Sequence, residues 1–174
     1  MHEKICRGLV KIHMRQRRKI IYLIIRYALV AMLLFAVIFF IFRKNESKTP
    51  FETMSAAVSE SLTSDRIERN SMRFLKKNFN LNADDYEGVL IYTPLTNMDA
   101  EEVLLIKLKS TDQADSVTAA IEARVQAQYD IYEGYAPLEI AKLDNAVIDV
   151  QGNYILYVVG DFAGETDKIF RDNL

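Results

Sequence analysis

"AVIDVQGNYILYVV", residues Ala146–Val159, is the stretch of sequence that decides the fold. Two runs rich in β-branched and aromatic residues flank the tripeptide Gln151-Gly152-Asn153. Runs of this composition favour strands, and a short loop that contains glycine joins consecutive antiparallel strands. The stretch therefore predicts a β-hairpin.

Two earlier runs have the same character. Tyr86–Tyr92 ("YEGVLIY") and Glu102–Lys109 ("EVLLIKLK") are rich in branched and aromatic residues and are bounded by turn residues. In the second run, alternation places Leu104 and Ile106 on one face and Lys107 on the other. Together with the hairpin, these runs predict four strands.

Five helices are predicted around these strands. The first has Thr49 as its N-cap, with Glu52 closing a capping box. The others run over about Asp65–Asn78, Asp112–Glu133 (capped by Thr111 or Asp112), Pro137–Leu143 and Glu165–Asp172, the last burying Ile169 and Phe170. Hairpins separated by helices predict an α+β fold, in which a four-stranded antiparallel sheet is packed by the long helix across one face and by shorter helices.

A long apolar segment precedes this domain. Ile20–Phe42 is 23 residues long and carries one charge, Arg26. As a helix it spans roughly 34 Å, enough for a hydrocarbon core of about 30 Å. The segment therefore predicts one transmembrane helix, with the Arg26 side chain reaching back to the headgroups.

Charge predicts the orientation of that helix. Residues 1–44 hold ten Lys/Arg against one Asp/Glu (+9), and residues 45–174 hold twelve against 23 (−11), which sum to the formal net charge of −2. The positive-inside rule predicts residues 1–19 as a basic cytoplasmic tail, 20–42 as an uncleaved signal anchor, 43–48 as a tether and 49–174 as an extracytoplasmic domain. The predicted location is the cell membrane, as a single-pass protein. A cleaved signal peptide is disfavoured, because the apolar run is too long and lacks a small-x-small cleavage site.

Several stretches together resemble a known family. "EARVQAQ" (residues 122–128), "YEGYAP" (132–137) and "LDNAVIDVQGNYILYVV" (143–159) resemble a bacterial domain-of-unknown-function family of small extracytoplasmic proteins, many of them lipoproteins, from Gram-positive anaerobes. The positions that match are Arg124, Gln126, Tyr135, Pro137, Asn145, Gly152, Asn153 and Tyr154. The chain lacks the lipid-bearing cysteine of these lipoproteins. The predicted membrane helix would anchor the domain in its place. The resemblance implies a location and a fold, but no reaction.

Composition excludes several chemistries. Beyond Lys44 there is no His, Cys or Trp, so the domain has no imidazole for Ser-His-Asp or Cys-His catalysis and no ligands for a zinc site of the usual type. Its glycines are scattered, so no phosphate-binding loop is expected, and its charge of −11 argues against nucleic acid. No metal or cofactor is predicted. Clustered carboxylates remain, and solvated surface charge is their expected role: they are Asp84-Asp85, Asp99/Glu101/Glu102 and Asp161/Glu165/Asp167.

Three evenly spaced tyrosines raise the question of a binding site. In "YDIYEGYAP", Tyr129 and Tyr132 continue the apolar stripe of the long helix, which predicts packing. Tyr135 follows the Gly134 stop and, with Asn153, is the predicted ligand or partner contact.

Two functions of different class fit these observations. The first is a non-enzymatic, membrane-anchored extracytoplasmic module that binds a protein or a cell-wall component. The alternative is a carboxylate-dependent hydrolase acting on cell-wall polysaccharide, which requires an Asp/Glu pair about 5–9.5 Å apart in a cleft.

Overall fold

A computed structural model describes residues 25–35 and 46–174. The chain divides into two compact units, Met1–Arg43 and Lys44–Leu174. In the first unit, residues 25–35 are helical (α1). None of the helices within the described ranges is both long and apolar enough to span a membrane. The predicted tail (1–19) and the predicted span (20–42), apart from 25–35, lie outside the described residues.

The second unit is an α+β domain with one antiparallel sheet of five strands in the order β1-β2-β3-β5-β4. The strands are β1 (Ile67–Arg69), β2 (Gly88–Pro94), β3 (Glu102–Lys107), β4 (Val147–Gln151) and β5 (Tyr154–Val159). The helices are α2 (Phe51–Ser61), α3 (Met72–Phe79), α4 (Ala114–Tyr132), α5 (Pro137–Asp144) and α6 (Ala163–Asp172), and 3-10 turns occupy Ala83–Asp85 and Thr111–Gln113. The α+β prediction and the β4–β5 hairpin are confirmed.

The sheet is covered by helices on both faces. Leu104 and Ile106 of β3 pack with α3, α4 and α5 in one core, whereas Val103 and Leu105 pack with α2 and α6 in the other. All four side chains are fully buried. Lys107 points toward the second core, where its Nζ lies 2.6 Å from Glu87 Oε1 and above the Tyr154 ring. The face of β3 that carries Lys107 is therefore buried as well.

The prediction of four strands is wrong by one. The segment predicted as a helix over Asp65–Asn78 begins instead with the edge strand β1, which pairs with the end of β2. The contact with β2 extends to Asn70, whose backbone N–H donates to Ile91 O at 2.9 Å and whose Nδ2 donates to Thr93 Oγ1 at 2.7 Å. Helix α3 then starts at Met72. Pairing with β2, which is remote in sequence, overrides the helical pattern of this segment.

Two predicted helix caps are also wrong. Thr49 does not cap α2, because its Oγ1 donates to Asn173 O at 2.7 Å, and Pro50 occupies the N-cap position without a side-chain hydrogen bond. For α4, neither Thr111 nor Asp112 is the N-cap: Ser110 and Gln113 form a capping box on the 3-10 turn Thr111–Gln113, and Gln113 is the N-cap of α4 without a side-chain hydrogen bond.

The predicted end of α4 agrees with the structure, and the predicted core residues of α6 agree in part. The stop at Gly134 is confirmed, since this residue has φ +85°. In α6, Phe170 is fully buried as expected, whereas Ile169 is half-buried.

Candidate functional site

A groove of about 650 Å³ lies at the turn between α4 and α5, and we call it the Tyr135 groove. Gly134 ends α4 with a positive φ, and the Tyr135 and Ala136 amides both donate to Tyr132 O, at 3.3 and 3.1 Å. This tight turn leaves Tyr135 55% exposed beside Pro137. The local sequence therefore presents an aromatic ring on the surface of the domain.

The other two tyrosines of the motif pack, as their spacing predicts. Tyr132 is buried, and its hydroxyl donates to Asp99 O at 2.6 Å. Burial, with nearby Glu139, raises the pKa of Tyr132 to about 12. Tyr129 is half-buried, and its hydroxyl donates to Asp144 Oδ1 at 2.6 Å, which together with burial raises its pKa. The ring of Tyr135 lies 6.2 Å from that of Tyr132, so the exposed ring is supported by a buried one.

The polar lining of the Tyr135 groove is acidic. Asp130 lies in the last turn of α4 and Glu133 directly follows that helix, and Gln126 Nε2 donates to Asp130 Oδ1 at 2.9 Å. None of the lining residues that the structure describes is Lys or Arg. The groove therefore combines aromatic surface with negative charge.

Asn153, the second predicted contact, lies elsewhere. It is 8% exposed in the turn between β4 and β5. Its Oδ1 accepts a hydrogen bond from Ser47 N at 2.9 Å, and its carbonyl accepts one from Leu108 N at 2.7 Å. Asn153 therefore does not lie in the Tyr135 groove. Its side-chain hydrogen bond joins the segment before α2 to the hairpin.

A second, more polar cavity of about 370 Å³ lies between α3, the β2–β3 loop and α4, and we call it the Arg124 cavity. Arg124 of α4 reaches the first residue of β3, where Nε lies 3.2 Å from Glu102 Oε2 and Nη2 lies 3.4 Å from Oε1. The guanidinium also lies over the rings of Phe74 and Phe79, at 5.7 and 6.0 Å from their centroids. Two carboxylate contacts and two rings fix its plane.

Glu102 is the most deeply buried acid of the domain's described part, at 0% exposure. Burial raises the pKa of its carboxyl, and the charge of Arg124 opposes that rise. Beside it, the Tyr157 hydroxyl donates to Gln128 Oε1 at 3.0 Å, and burial raises the pKa of Tyr157 well above its usual value. The Tyr157 hydroxyl also interacts with Glu102 and favours its ionised carboxylate, so the two pairs form one group on one face of the sheet.

Glu101, adjacent in sequence, belongs to a different cluster. Its carboxylate is ion-paired with Arg66 and lies 3.2 Å from Lys142 Nζ. Lys142 also lies 3.0 Å from Glu139, whose Oε2 accepts from Ala100 N at 2.8 Å. Glu101 is 1% exposed and the Lys142 side chain is 10% exposed, whereas the Arg66 side chain is 46% exposed, so this network runs from a buried carboxylate to the surface.

A protein-family model matches residues 60–160, under the description "Domain of unknown function (DUF4358)". The chain belongs to the DUF4358 family. Comparisons with curated proteins and with solved structures found no match. The Tyr135 groove and the Arg124 cavity both lie within the part of the chain that matches the DUF4358 model. The family membership confirms the resemblance at the level of a domain of unknown function.

Sequence reasoning missed the Arg124 cavity. Arg124 and Gln128 are four residues apart in α4, a spacing that places both on one helix face, and this was the available signal. Their partners in the DUF4358 domain, Glu102 and Tyr157, come from two different strands, which a single sequence does not connect.

The carboxylate clusters match the solvated charge expected of them only in part: the exposed members are Asp84, Asp85, Asp161 and Glu165. Glu101 and Glu102 are buried in ion pairs, and Asp167 of the third cluster pairs with Arg171 at 3.1 Å. Within the described residues, no group of three or more His, Cys, Asp or Glu side chains is arranged to hold a metal ion.

Proposed function

We propose that this DUF4358 domain is a non-enzymatic binding module that captures an extended, basic segment of a partner protein in the Tyr135 groove. The observation that carries the proposal is Tyr135 itself, a large aromatic side chain that is 55% exposed in a concave site with an acidic lining. Exposed aromatic residues supported by rigid elements are common anchors of binding surfaces.

The chemistry of the groove favours a cationic segment. A Lys or Arg side chain placed over a tyrosine ring gains a cation–π interaction. Asp130 and Glu133 offer carboxylates to the same cation, while Pro137 and Ile140 offer apolar contact to its aliphatic stem. The charge of −11 over residues 45–174 speeds the approach of a basic partner.

We propose further that residues 20–42 anchor the module in the membrane of a bacterial cell, with the DUF4358 domain on the extracytoplasmic side. The apolar composition of this segment and its basic N-terminal flank support the proposal. Within it, residues 25–35 are helical, and large apolar side chains such as Leu33 (64%) and Phe35 (71%) are exposed. Protease treatment of intact cells should remove the domain, and a domain protected until the cells are lysed contradicts this topology.

Peptide binding tests the groove. We expect a labelled lysine-rich peptide to bind the protein in fluorescence anisotropy and the same peptide with acetylated lysines to bind at least several-fold more weakly. Tyr135→Ala and Glu133→Lys should each abolish most of the binding. Met98→Ala is the matched control, since Met98 is 65% exposed but does not line the groove.

The outcomes separate the alternatives. A neutral oligosaccharide that binds in a Tyr135-dependent way, while the lysine peptide does not, would assign the groove to a cell-wall sugar. If neither probe binds, or if Met98→Ala weakens binding as much as Tyr135→Ala, the groove is not the binding site.

A further inference from the structure

The Arg124 cavity contains hydrogen-bond donors for which the described residues offer no acceptor. A guanidinium has a side edge (Nε and Nη2) and an end edge (Nη1 and Nη2), and each edge fits one carboxylate. Glu102 occupies the side edge of Arg124. The described residues offer no acceptor to Nη1, so the end edge remains open while the arginine is held at 14% side-chain exposure.

Gln128 supplies a second unused donor in the same cavity. Its side chain lines the cavity and the residue is only 2% exposed. Its Oε1 accepts from Tyr157, and no acceptor among the described residues takes Nε2. An amide donor that lines a cavity without a protein partner is available to an acceptor bound there.

The rest of the lining indicates the kind of molecule. Lys77 of α3 adds a positive charge at the rim, and Phe74 and Ile131 provide apolar surface. The nearby carboxylate of Asp99 is paired with Arg66 at 3.3 Å and with Lys142 at 3.7 Å, so its negative charge is offset. About 370 Å³ lies within the range of small-molecule sites.

We propose that the Arg124 cavity binds a small organic carboxylate, whose two oxygens accept from the end edge of Arg124 and from Gln128 Nε2 while its apolar part contacts Phe74. Glu102 is then a positioning residue, because it holds the guanidinium by the side edge and leaves the end edge facing the cavity. This site is separate from the Tyr135 groove and does not depend on the function proposed for that groove.

The test uses benzoate as the probe and benzamide as its neutral isostere. Benzoate should bind saturably and shift the side-chain amide resonances of Gln128 and the Nε resonance of Arg124 in ¹⁵N NMR, and benzamide should bind far more weakly. Gln128→Glu keeps an oxygen for Tyr157 but replaces the donor with a negative charge, so it should weaken benzoate by at least about tenfold. Ala127→Glu, which adds the same charge at an exposed position of α4 that does not line this cavity, should leave benzoate binding unchanged.

Two variants at the surface of α3 test whether a loss of binding results only from damage to the fold. Lys77→Gln removes the charge at the rim and should weaken benzoate by about threefold, more at low salt than at high salt, whereas Lys76→Gln should not. Three results would each overturn the proposal: benzoate leaves the Gln128 resonances unmoved, benzamide binds as tightly as benzoate, or Ala127→Glu weakens binding as much as Gln128→Glu. Binding of inorganic phosphate in preference to benzoate would overturn the carboxylate assignment.

Discussion

Replacing Arg124 by Met should destabilise the domain in a pH-dependent way. Glu102 is fully buried, and Arg124 is the cation that contacts it, through hydrogen bonds of 3.2 and 3.4 Å. Removing one partner of a buried ion pair leaves an uncompensated charge, which costs about 3–5 kcal/mol. We therefore expect Arg124→Met to lower the free energy of unfolding by that amount at neutral pH.

The pH dependence follows from the pKa of Glu102. Burial already raises it in the native state, and losing the opposing charge of Arg124 raises it further. The folded variant then keeps a proton that the unfolded chain releases above its ordinary carboxyl pKa. The variant should thus be closest to the wild type below that ordinary pKa, and the loss should grow as the pH rises toward the elevated pKa in the folded state.

Urea unfolding at a series of pH values between roughly 4 and 8 measures this loss. The double variant Glu102→Gln/Arg124→Met removes both charges and should recover most of the stability, to within about 1–2 kcal/mol of the wild type. Arg73→Met is the matched control, since Arg73 is exposed on α3, and it should change stability by less than about 0.5 kcal/mol. A loss for Arg124→Met below about 1 kcal/mol at neutral pH, or one that does not vary with pH, would refute the assignment of Glu102 as a buried charge.

Three further changes test the packing, the turn and the ionisation of tyrosine. Gly88→Ala places a Cβ about 2.3 Å from Cγ of the Phe51 ring, so chemical denaturation should show a loss of about 1–3 kcal/mol, which Phe51→Ala in the same chain should partly relieve if that contact is the cause. Gly134→Ala meets no atoms but forces alanine to φ +85°, so the melting temperature should fall by an amount equivalent to about 1–2 kcal/mol, and an unchanged value would contradict the strain. Tyr154→Phe removes a 2.9 Å hydrogen bond to Thr49 O and should cost about 1 kcal/mol. Burial raises the pKa of Tyr154 to about 12, so the native state keeps a proton that the unfolded chain loses near pH 10. Wild-type stability therefore falls as the pH rises between these two values, and it falls less steeply in the variant. Tyrosinate absorbance, measured during unfolding at each pH, checks this ionisation.

Local patterns were sufficient for much of the fold. The Gln151-Gly152-Asn153 turn predicted the β4–β5 hairpin, because turn chemistry and strand composition act over a few adjacent residues. Gly134 predicted the end of α4 for the same reason, since φ +85° favours glycine regardless of the surrounding fold. These features depend on neighbours in sequence, and they are confirmed.

The errors occurred where remote contacts decide the conformation. Ile67–Arg69 forms a strand because it pairs with Tyr92–Pro94, and its own sequence lacks a strand pattern. Thr49 fits the N-cap pattern in isolation, but its hydroxyl donates a hydrogen bond to the Asn173 carbonyl. In both cases a partner brought close by folding outweighs a local preference.

The candidate sites show the same difference between local patterns and remote contacts. Tyr135 could be singled out from sequence because the glycine before it ends a helix and exposes the ring, whereas the surrounding groove became visible only in the fold. For Asn153, the hydrogen bond to Ser47 joins residues 106 positions apart. No spacing rule reaches across such a distance.

By itself, the sequence determined the α+β class, the hairpin, the extent of the apolar segment at residues 20–42 and the absence of imidazole and thiol chemistry beyond Lys44. Only the tertiary structure decided that both faces of the sheet are covered and that Arg124, paired with Glu102, lines one cavity with Gln128. The physical reason is the range of the forces that act. Helix periodicity, turn geometry and composition are local, whereas the burial of a charge and the choice of its partner depend on which distant segments the folded core brings into contact.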